Sequence, residues 1–306
     1  MLRACSTFSF IAALPSAILG VMETLSQSEI QRLVRVALEE DSGPGDVTSL
    51  STVPAETRAH AVMVARQAAV ISGLQFAVVA FKECDCEAHV DLKASDGQSV
   101  PPRTALMTID GRARAILTAE RVALNFVQRL SGIATLTAKF IDAVKGSKAR
   151  ILDTRKTTPG LRRAEKYAVA CGGGQNHRFG LFDMVLIKDN HLAALRDAAP
   201  NPIAAAVARA RNQYPKLKVE VETDTLAQVE QALAAGADFI LLDNMGTDEL
   251  RRAVDLVKGR AKTEASGGVN LSTVRQIAET GVDFISVGAL THSALAVDIA
   301  LDFETQ

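Results

Sequence analysis

The sequence predicts an α/β protein in two parts: an N-terminal α+β sandwich-like domain, then a six-stranded TIM-like α/β barrel. Three observations carry this. Short apolar runs at 150–155, 183–188, 218–222, 238–243, 263–266 and 284–288 alternate with helical stretches, the pattern of parallel strands joined by crossover helices. Four of those runs end at Glu222, Asp243, Ser266 and Gly288, separated by 21, 23 and 22 residues, the even spacing of successive βα units. Gly236-Ala-Asp-Phe-Ile-Leu-Leu-Asp243 also echoes Gly281-Val-Asp-Phe-Ile-Ser-Val-Gly288 at its Gly, Asp, Phe and Ile positions. Six strands, not eight, point to a smaller or open barrel.

The part before the barrel reads differently. Ser26 or Ser28 can cap a helix whose apolar residues Ile30, Leu33, Val34, Ala37 and Leu38 have helical spacing, and the Gly- and Pro-containing stretch 41–46 stops it. Residues 58–72 read as strand up to Gly73, 74–82 as a short helix, and 86–110 as strands broken at Asp96-Gly97 and Pro101-Pro102. A long helical pattern then runs from about 115 to 145, with Leu124, Val127, Leu130 and Ile133 along one face. The divisions expected are 22–130 for the first domain and 131–291 for the barrel, with 292–306 packing back on the first domain.

Residues 1–21 are expected to lie outside the fold. Arg3 precedes an apolar run from Phe8 to Val21 that Pro15 interrupts. The run resembles a weak signal peptide and is too short and broken to span a membrane. It reads more simply as the product of an upstream start codon, with Met22 as the working start.

Composition narrows the function. Hydrophobic residues make up 48% and charged residues 23%, enough for a packed core, and a formal net charge of −1 argues against a nucleic-acid partner. Cys5, Cys84, Cys86 and Cys171 lack paired zinc-ligand spacing and read as reduced thiols of a cytoplasmic protein.

The chemistry gathers where a parallel barrel keeps its active site, at the carboxyl ends of the strands. The six runs end in Asp153-Thr-Arg-Lys156, Lys188-Asp-Asn190, Glu222, Asp243-Asn244, Ser266-Gly-Gly268 and Gly288-Ala289. Wet strand ends explain one such residue easily and six in a row poorly. Between 150 and 178, seven Arg or Lys face two acids, a surplus that suits a small, strongly anionic ligand. Arg155 and Lys156, at a strand end, are the candidates. Arg162, Arg163 and Lys166 sit at helical spacing after Pro159-Gly160 and read as a solvated helix face. His177-Arg178 follows a run of three glycines and reads as a ligand-binding loop. Glu222 and Asp243, on adjacent strand ends, suit Mg²⁺ shared with a polyphosphate; salt bridges to Lys156 and Lys188 account for them equally well. The turns at Ser266-Gly-Gly268 and Gly288-Ala289 let backbone N–H groups approach a phosphate, and Asn270 or Ser272 could cap the next helix.

The combination resembles one family. Thr118-Ala-Glu-Arg-Val-Ala-Leu-Asn-Phe-Val-Gln-Arg-Leu-Ser-Gly-Ile-Ala-Thr135 is similar to the long-helix signature of quinolinate phosphoribosyltransferases. So are Asp153-Thr-Arg-Lys-Thr-Thr-Pro-Gly160, His177-Arg178, Leu186-Ile-Lys-Asp-Asn-His191, Val219-Glu-Val-Glu222, Leu242-Asp-Asn244 and Glu264-Ala-Ser-Gly-Gly268, and the resemblance spans about Leu25 to Phe303. It implies a reaction of quinolinate with phosphoribosyl pyrophosphate that yields nicotinate mononucleotide, pyrophosphate and CO₂ in NAD synthesis. It implies a quinolinate pocket of Thr154, Arg155, His177 and Arg178 with Lys156 and Lys188, completed by Arg121 of a second subunit in a homodimer. It places Glu222 and Asp243 toward the ribose and Mg²⁺. Lys156, Lys188 and Asn190 face the phosphoribosyl pyrophosphate, and Ser266, Gly267, Gly268, Gly288 and Ala289 hold its 5′-phosphate. Lys156, Lys188, Glu222 and Asp243 are the catalytic candidates. Three other readings stand beside this one: a related transferase with another acceptor, such as the molybdenum-transport-associated relatives, a Schiff-base aldolase using Lys156 or Lys188, and a non-catalytic anion-binding module.

Overall fold

A computed structural model describes residues 25–304; the expected extension 1–21, with Cys5, lies outside them. The chain opens with α1 (Gln27–Ser42), where Ser26 and Glu29 form a reciprocal capping box and Gly43, at φ 47°, ends the helix. A short helix, α2 (Val47–Thr52), follows under an Asp46 cap. No apolar periodicity announces it. Then come β1 (Arg58–Ala65), β2 (Ala69–Val70), α3 (Leu74–Cys84), β3 (His89–Leu92), β4 (Ser99–Val100) and β5 (Thr104–Arg112). The strand expected over 58–72 is thus two pieces. It breaks after Arg66, whose N–H still donates to the Asp298 carbonyl at 2.9 Å, the last rung of the pairing with the C-terminal strand.

The helix α4 (Ala113–Ala143) runs 31 residues without a break, so the boundary expected at 130/131 falls inside one continuous element. Leu124, Val127, Leu130 and Ile133 are buried along it, as their spacing predicts. The barrel units follow: β6 (Arg150–Leu152), α5 (Arg162–Cys171), β7 (Val185–Ile187), α6 (Asp189–Ala193), α7 (Pro202–Gln213), β8 (Val219–Thr223), α8 (Leu226–Ala234), β9 (Phe239–Asp243), α9 (Thr247–Val257), β10 (Lys262–Ser266), α10 (Val274–Ala278), β11 (Phe284–Ser286) and α11 (Ala289–His292). The last strand, β12 (Ile299–Glu304), pairs antiparallel with β1, giving an N-terminal sheet of order β12-β1-β5-β3.

The signature on α4 holds this return in place. Gln128 donates to the Ile299 carbonyl at 2.7 Å, and its own carbonyl accepts the Val297 N–H at 3.0 Å. Arg129 donates to the Ala294 and Thr291 carbonyls. Gly132 leaves room for the crossing chain, since a Cβ there would stand 2.1 Å from the Leu295 oxygen. Ser131 and Thr135 accept the backbone N–H groups of Ser72 and Val70, tying the helix to the N-terminal part.

The six barrel strands are all parallel, in the order β6-β11-β10-β9-β8-β7. The end strands β6 and β7 do not pair with each other. Gln175 bridges to Leu152 instead, taking the Ile151 carbonyl and giving its own to Asp153 N–H. The barrel is therefore open along one seam, and the segment carrying His177 and Arg178 fills it. Asn270 caps no helix: its Oδ1 closes a turn on Ser272 N–H at 2.9 Å, and α10 begins at Val274 without a side-chain cap. No helix among the described residues is long and apolar enough to cross a membrane.

Candidate active site

Strand alternation sorts the barrel residues. Val219, Val221, Ile240, Leu242, Ala265 and Ile285 join the large core outside the barrel. Their neighbours in sequence therefore face inward. Leu152, Phe239 and Phe284 form a small apolar floor. Above it stand the buried Glu220, Glu264 and Ser286, and at the carboxyl rim Glu222, Asp243 and Ser266. The same alternation carries Lys188 to the rim two residues beyond Leu186.

The loop after β6 is held from below. Thr154 Oγ1 accepts the Lys156 N–H at 3.0 Å, and the Lys156 carbonyl accepts Thr291 Oγ1 at 2.7 Å. Glu165, fully buried, accepts from Thr158 N–H and Oγ1 and from Arg129 at 3.0 Å. This fixes the turn that follows Lys156. The side chain of Lys156 lies across Gly288, where a Cβ would come within 3.2 Å of its Cδ.

Arg155 and Arg178 differ from every other arginine nearby. Arg178 is 6% exposed and spends one N–H on the Met184 carbonyl at 3.1 Å. Its Nε, and that of Arg155, are buried without any hydrogen-bond partner. Among the described residues neither forms an ion pair. Burial and the neighbouring Arg155 both hold the Arg178 pKa below its ordinary value. A buried cationic donor left open is costly unless a ligand completes it.

Lys166 is not on a solvated face. It is 1% exposed and donates to Asp153 Oδ1 at 2.6 Å and to the His177 carbonyl at 2.9 Å. Asp153 also accepts from Asn176 Nδ2 and from the His177 N–H, both at 2.8 Å. Burial pushes Asp153 up and Lys166 down, and their mutual attraction opposes both shifts. Arg162 is likewise tied in, donating to Thr157 Oγ1 and the Phe179 carbonyl, and Arg163 pairs with Glu29 at 2.9 Å. These three hold the ligand loop and do not face solvent as a set.

His177 points inward. Its Nε2 lies 3.0 Å from Glu220 Oε2 and 3.4 Å from Glu264 Oε2, and its Nδ1 accepts the Arg178 N–H at 2.7 Å. Burial disfavours a charged ring, while Glu264 and Glu220 favour one strongly enough to raise the pKa to about 10. A ring with both nitrogens protonated could not accept the Arg178 N–H. That contact decides for the Nε2–H ring. Burial, and then Glu264, hold the Glu220 carboxyl up to about 7.

The acids at the rim are close enough to feel one another. Glu222 pairs with Lys188 at 3.1 Å, so one of the two expected salt bridges is present; Lys156 pairs with neither acid among the described residues. Burial and then Glu222 raise the Asp243 pKa. Two carboxylates that repel each other on neighbouring strands fit a hard divalent cation, which takes oxygen ligands and relieves that repulsion. Asn190 is exposed on α6. Gly267, at φ 99°, admits no side chain, because a Cβ would meet Asn244 Oδ1 at 2.1 Å; Gly268, at φ 61°, continues the turn beside Ser266. Gly288 and Ala289 begin the neighbouring turn. Arg121 lies apart, exposed on α4 and hydrogen-bonded to none of these residues.

The family model for the quinolinate phosphoribosyl transferase C-terminal domain matches residues 133–302, and the N-terminal domain model matches 46–131. The chain belongs to the quinolinate phosphoribosyltransferase family. A chloroplastic nicotinate-nucleotide pyrophosphorylase [carboxylating] of Oryza sativa is 43% identical, covering 91% of this chain and 78% of the relative. Its counterpart in Mycobacterium leprae is 44% identical over 88% of this chain and 95% of its own. A solved nicotinate-nucleotide pyrophosphorylase from Francisella tularensis superposes with a TM-score of 0.87 at 40% identity, covering 92% of this chain and 99% of its own. The resemblance and the fold class expected from sequence are both borne out.

Within this member of the quinolinate phosphoribosyltransferase family, three residues of the site carried no assignment from sequence: Asp153, Glu220 and Glu264. The signal for the last two was present. In Val219-Glu-Val-Glu222 the alternation that turns Glu222 inward must turn Glu220 inward as well, and Glu264 stands in the same relation to Ser266.

Proposed function

We propose that this chain is the decarboxylating quinolinate phosphoribosyltransferase, joining quinolinate to phosphoribosyl pyrophosphate to give nicotinate mononucleotide, pyrophosphate and CO₂. The observation that carries the acceptor is the pair of open, buried guanidinium donors on Arg155 and Arg178. Two adjacent planar carboxylates suit two neighbouring guanidinium forks, whose donors match carboxylate oxygens. Held by these arginines and Thr154, the pyridine presents its ring nitrogen to C1 of the ribose. The nitrogen attacks C1, and the bond from C1 to the pyrophosphate oxygen breaks. Lys156 and Lys188 supply positive charge beside the departing pyrophosphate. Glu222 and Asp243 place negative charge near the positive carbon. The alkylated, positively charged ring then accepts the electron pair left as the 2-carboxylate departs, and a proton from a lysine or water takes its place.

Glu222 and Asp243 would hold Mg²⁺, which when bound neutralises phosphate charge. The turns at Ser266, Gly267 and Gly268 and at Gly288 and Ala289 would take the 5′-phosphate, with Asn190 beside them. Arg121 is exposed on its own chain, and we assign it to the pocket of a partner subunit in a homodimer. Cys84, Cys86 and Cys171 are free thiols, and burial raises Cys171 to about 12, which keeps it unreactive and outside the chemistry.

An assay supplying quinolinate, phosphoribosyl pyrophosphate and Mg²⁺, following CO₂ and nicotinate mononucleotide together, should show equal formation of both. Absence of both would discard the acceptor. Inactive Arg121→Ala and Arg155→Ala chains, mixed and reassociated, should regain about a quarter of full activity if each pocket of a twofold dimer draws Arg121 from its partner; no recovery would remove the shared pocket.

A further inference from the structure

We infer that Glu220 and Glu264 form with His177 a buried clamp that positions Arg178 for the dicarboxylate, making His177 a positioning residue and not a substrate ligand. This rests on the quinolinate reading of the same pocket.

The ring has no free nitrogen to offer. Nδ1 accepts the Arg178 N–H at 2.7 Å, Nε2 donates to Glu220 at 3.0 Å with Glu264 at 3.4 Å, and the side chain is 9% exposed. The acids are themselves anchored on two different strands. Ser286 donates to Glu264 Oε1, and both carboxylates lie under the rim with Glu220 wholly buried. The backbone around the ring is fixed as well: Asp153 takes the His177 N–H at 2.8 Å and Lys166 the His177 carbonyl at 2.9 Å. Arg178 therefore receives its position from three strands and α5, while its own Nε stays open.

The arrangement also solves an electrostatic problem. Arg155 and Arg178 repel each other, and the Glu220 charge favours the cationic form of Arg178. Yet neither Glu220 nor Glu264 lies within ion-pair distance of a guanidinium among the described residues. A carboxylate bound directly to Arg178 would occupy the donor that the substrate needs. Placed behind the imidazole, Glu220 stabilises the cation without competing for it, and Glu264 holds the other side of the ring.

The three ligand atoms of His177, Glu220 and Glu264 also lie within 4.8 Å of one another, as a metal would require, but the Nε2–H already occupies the gap as a hydrogen-bond donor.

The test compares His177→Asn with His177→Gln. Asn places an acceptor near the Nδ1 position that holds Arg178; Gln places a donor near Nε2 instead. With His177→Ala we expect the KM for quinolinate to rise roughly tenfold or more, on the scale of one lost hydrogen bond near a charged group. The KM for phosphoribosyl pyrophosphate should stay within about twofold, because the His177 ring bonds only Arg178, Glu220 and Glu264 and none of the phosphate turns. His177→Asn should recover most of the loss and His177→Gln little of it. The near-isosteric Glu264→Gln, with melting temperature followed, should raise the quinolinate KM several-fold on its own. Three results would overturn the clamp: Gln rescuing better than Asn, Glu264→Gln leaving the quinolinate KM unchanged, or stoichiometric zinc in the purified protein that His177→Ala releases. A wild-type protein with no quinolinate turnover would instead sink the functional reading and the clamp with it.

Discussion

The two ends of the barrel handle charge in opposite ways. At the amino end, Asp238 accepts the Val219 N–H at 2.9 Å and pairs with Arg211 at 2.6 Å and Lys218 at 3.0 Å. Asp283 repeats the device, accepting Thr263 N–H and Oγ1, both at 3.0 Å, with Lys148 and Lys262 alongside. These are the two acids of the internal echo, and each staples its strand to the strand that precedes it in the chain. At the carboxyl end, Arg155 and Arg178 keep buried donors without partners. Satisfied charge at one end therefore holds the barrel, and unsatisfied charge at the other defines a receptor.

The largest effect should come from the open end. Arg155→Ala or Arg178→Ala should cut kcat/KM for quinolinate roughly a hundredfold to a thousandfold, since truncating one partner of a buried charge pair costs about 2–5 kcal/mol. Melting temperature should hold, because neither buried Nε has a partner in the fold to lose. A fall in stability with activity intact would reverse the comparison.

Next is the acidic rim. Glu222→Ala and Asp243→Ala together should weaken Mg²⁺-dependent turnover by roughly tenfold or more, as expected when charge near the reacting carbon is lost. A wild-type rate and an unchanged Mg²⁺ requirement would remove both residues from the mechanism.

The closed end should answer through stability alone. Asp238→Ala should cost about 2 kcal/mol, the scale of hydrogen bonds to a charged group, and leave the quinolinate KM unaltered. Burial pushes Asp238 up, but the Val219 N–H, Lys218 and Arg211 together bring it below the ordinary carboxylate range. Asp283 is lowered in the same way, by Thr263, Lys148 and Lys262 against burial. A depressed folded-state pKa means stability that is complete above the unfolded carboxylate value of about 4 and lost as pH falls through the folded one. Denaturant midpoints measured from pH 5 downward should therefore fall for the wild type and fall less for Asp238→Ala. Parallel pH curves would remove the staple.

How much of this could be read from sequence follows from the same contrast. The six strands were legible because a strand buried on both faces is an apolar run, and the rim was legible because each run ends on a polar residue. The helix α2 escaped because Val47–Thr52 has no apolar stripe. Lys166 looks solvated in the sequence because its partner Asp153 lies 13 residues earlier on another element, and only the fold buries the two together. His177 carries no mark in sequence that it turns toward Glu220 and Glu264. The echoed Asp238 and Asp283 were visible as a repeat, while their role as staples depends on strand neighbours that only topology supplies.

The central claim is that the open arginines, and not the stapled acids, form the dicarboxylate receptor. Calorimetric titration of quinolinate into the wild type, Arg155→Ala, Arg178→Ala and Asp238→Ala puts it to a direct test. We expect binding to the wild type and to Asp238→Ala with matching affinity, and loss of it in both arginine variants. Equal affinity in all four proteins would contradict the claim.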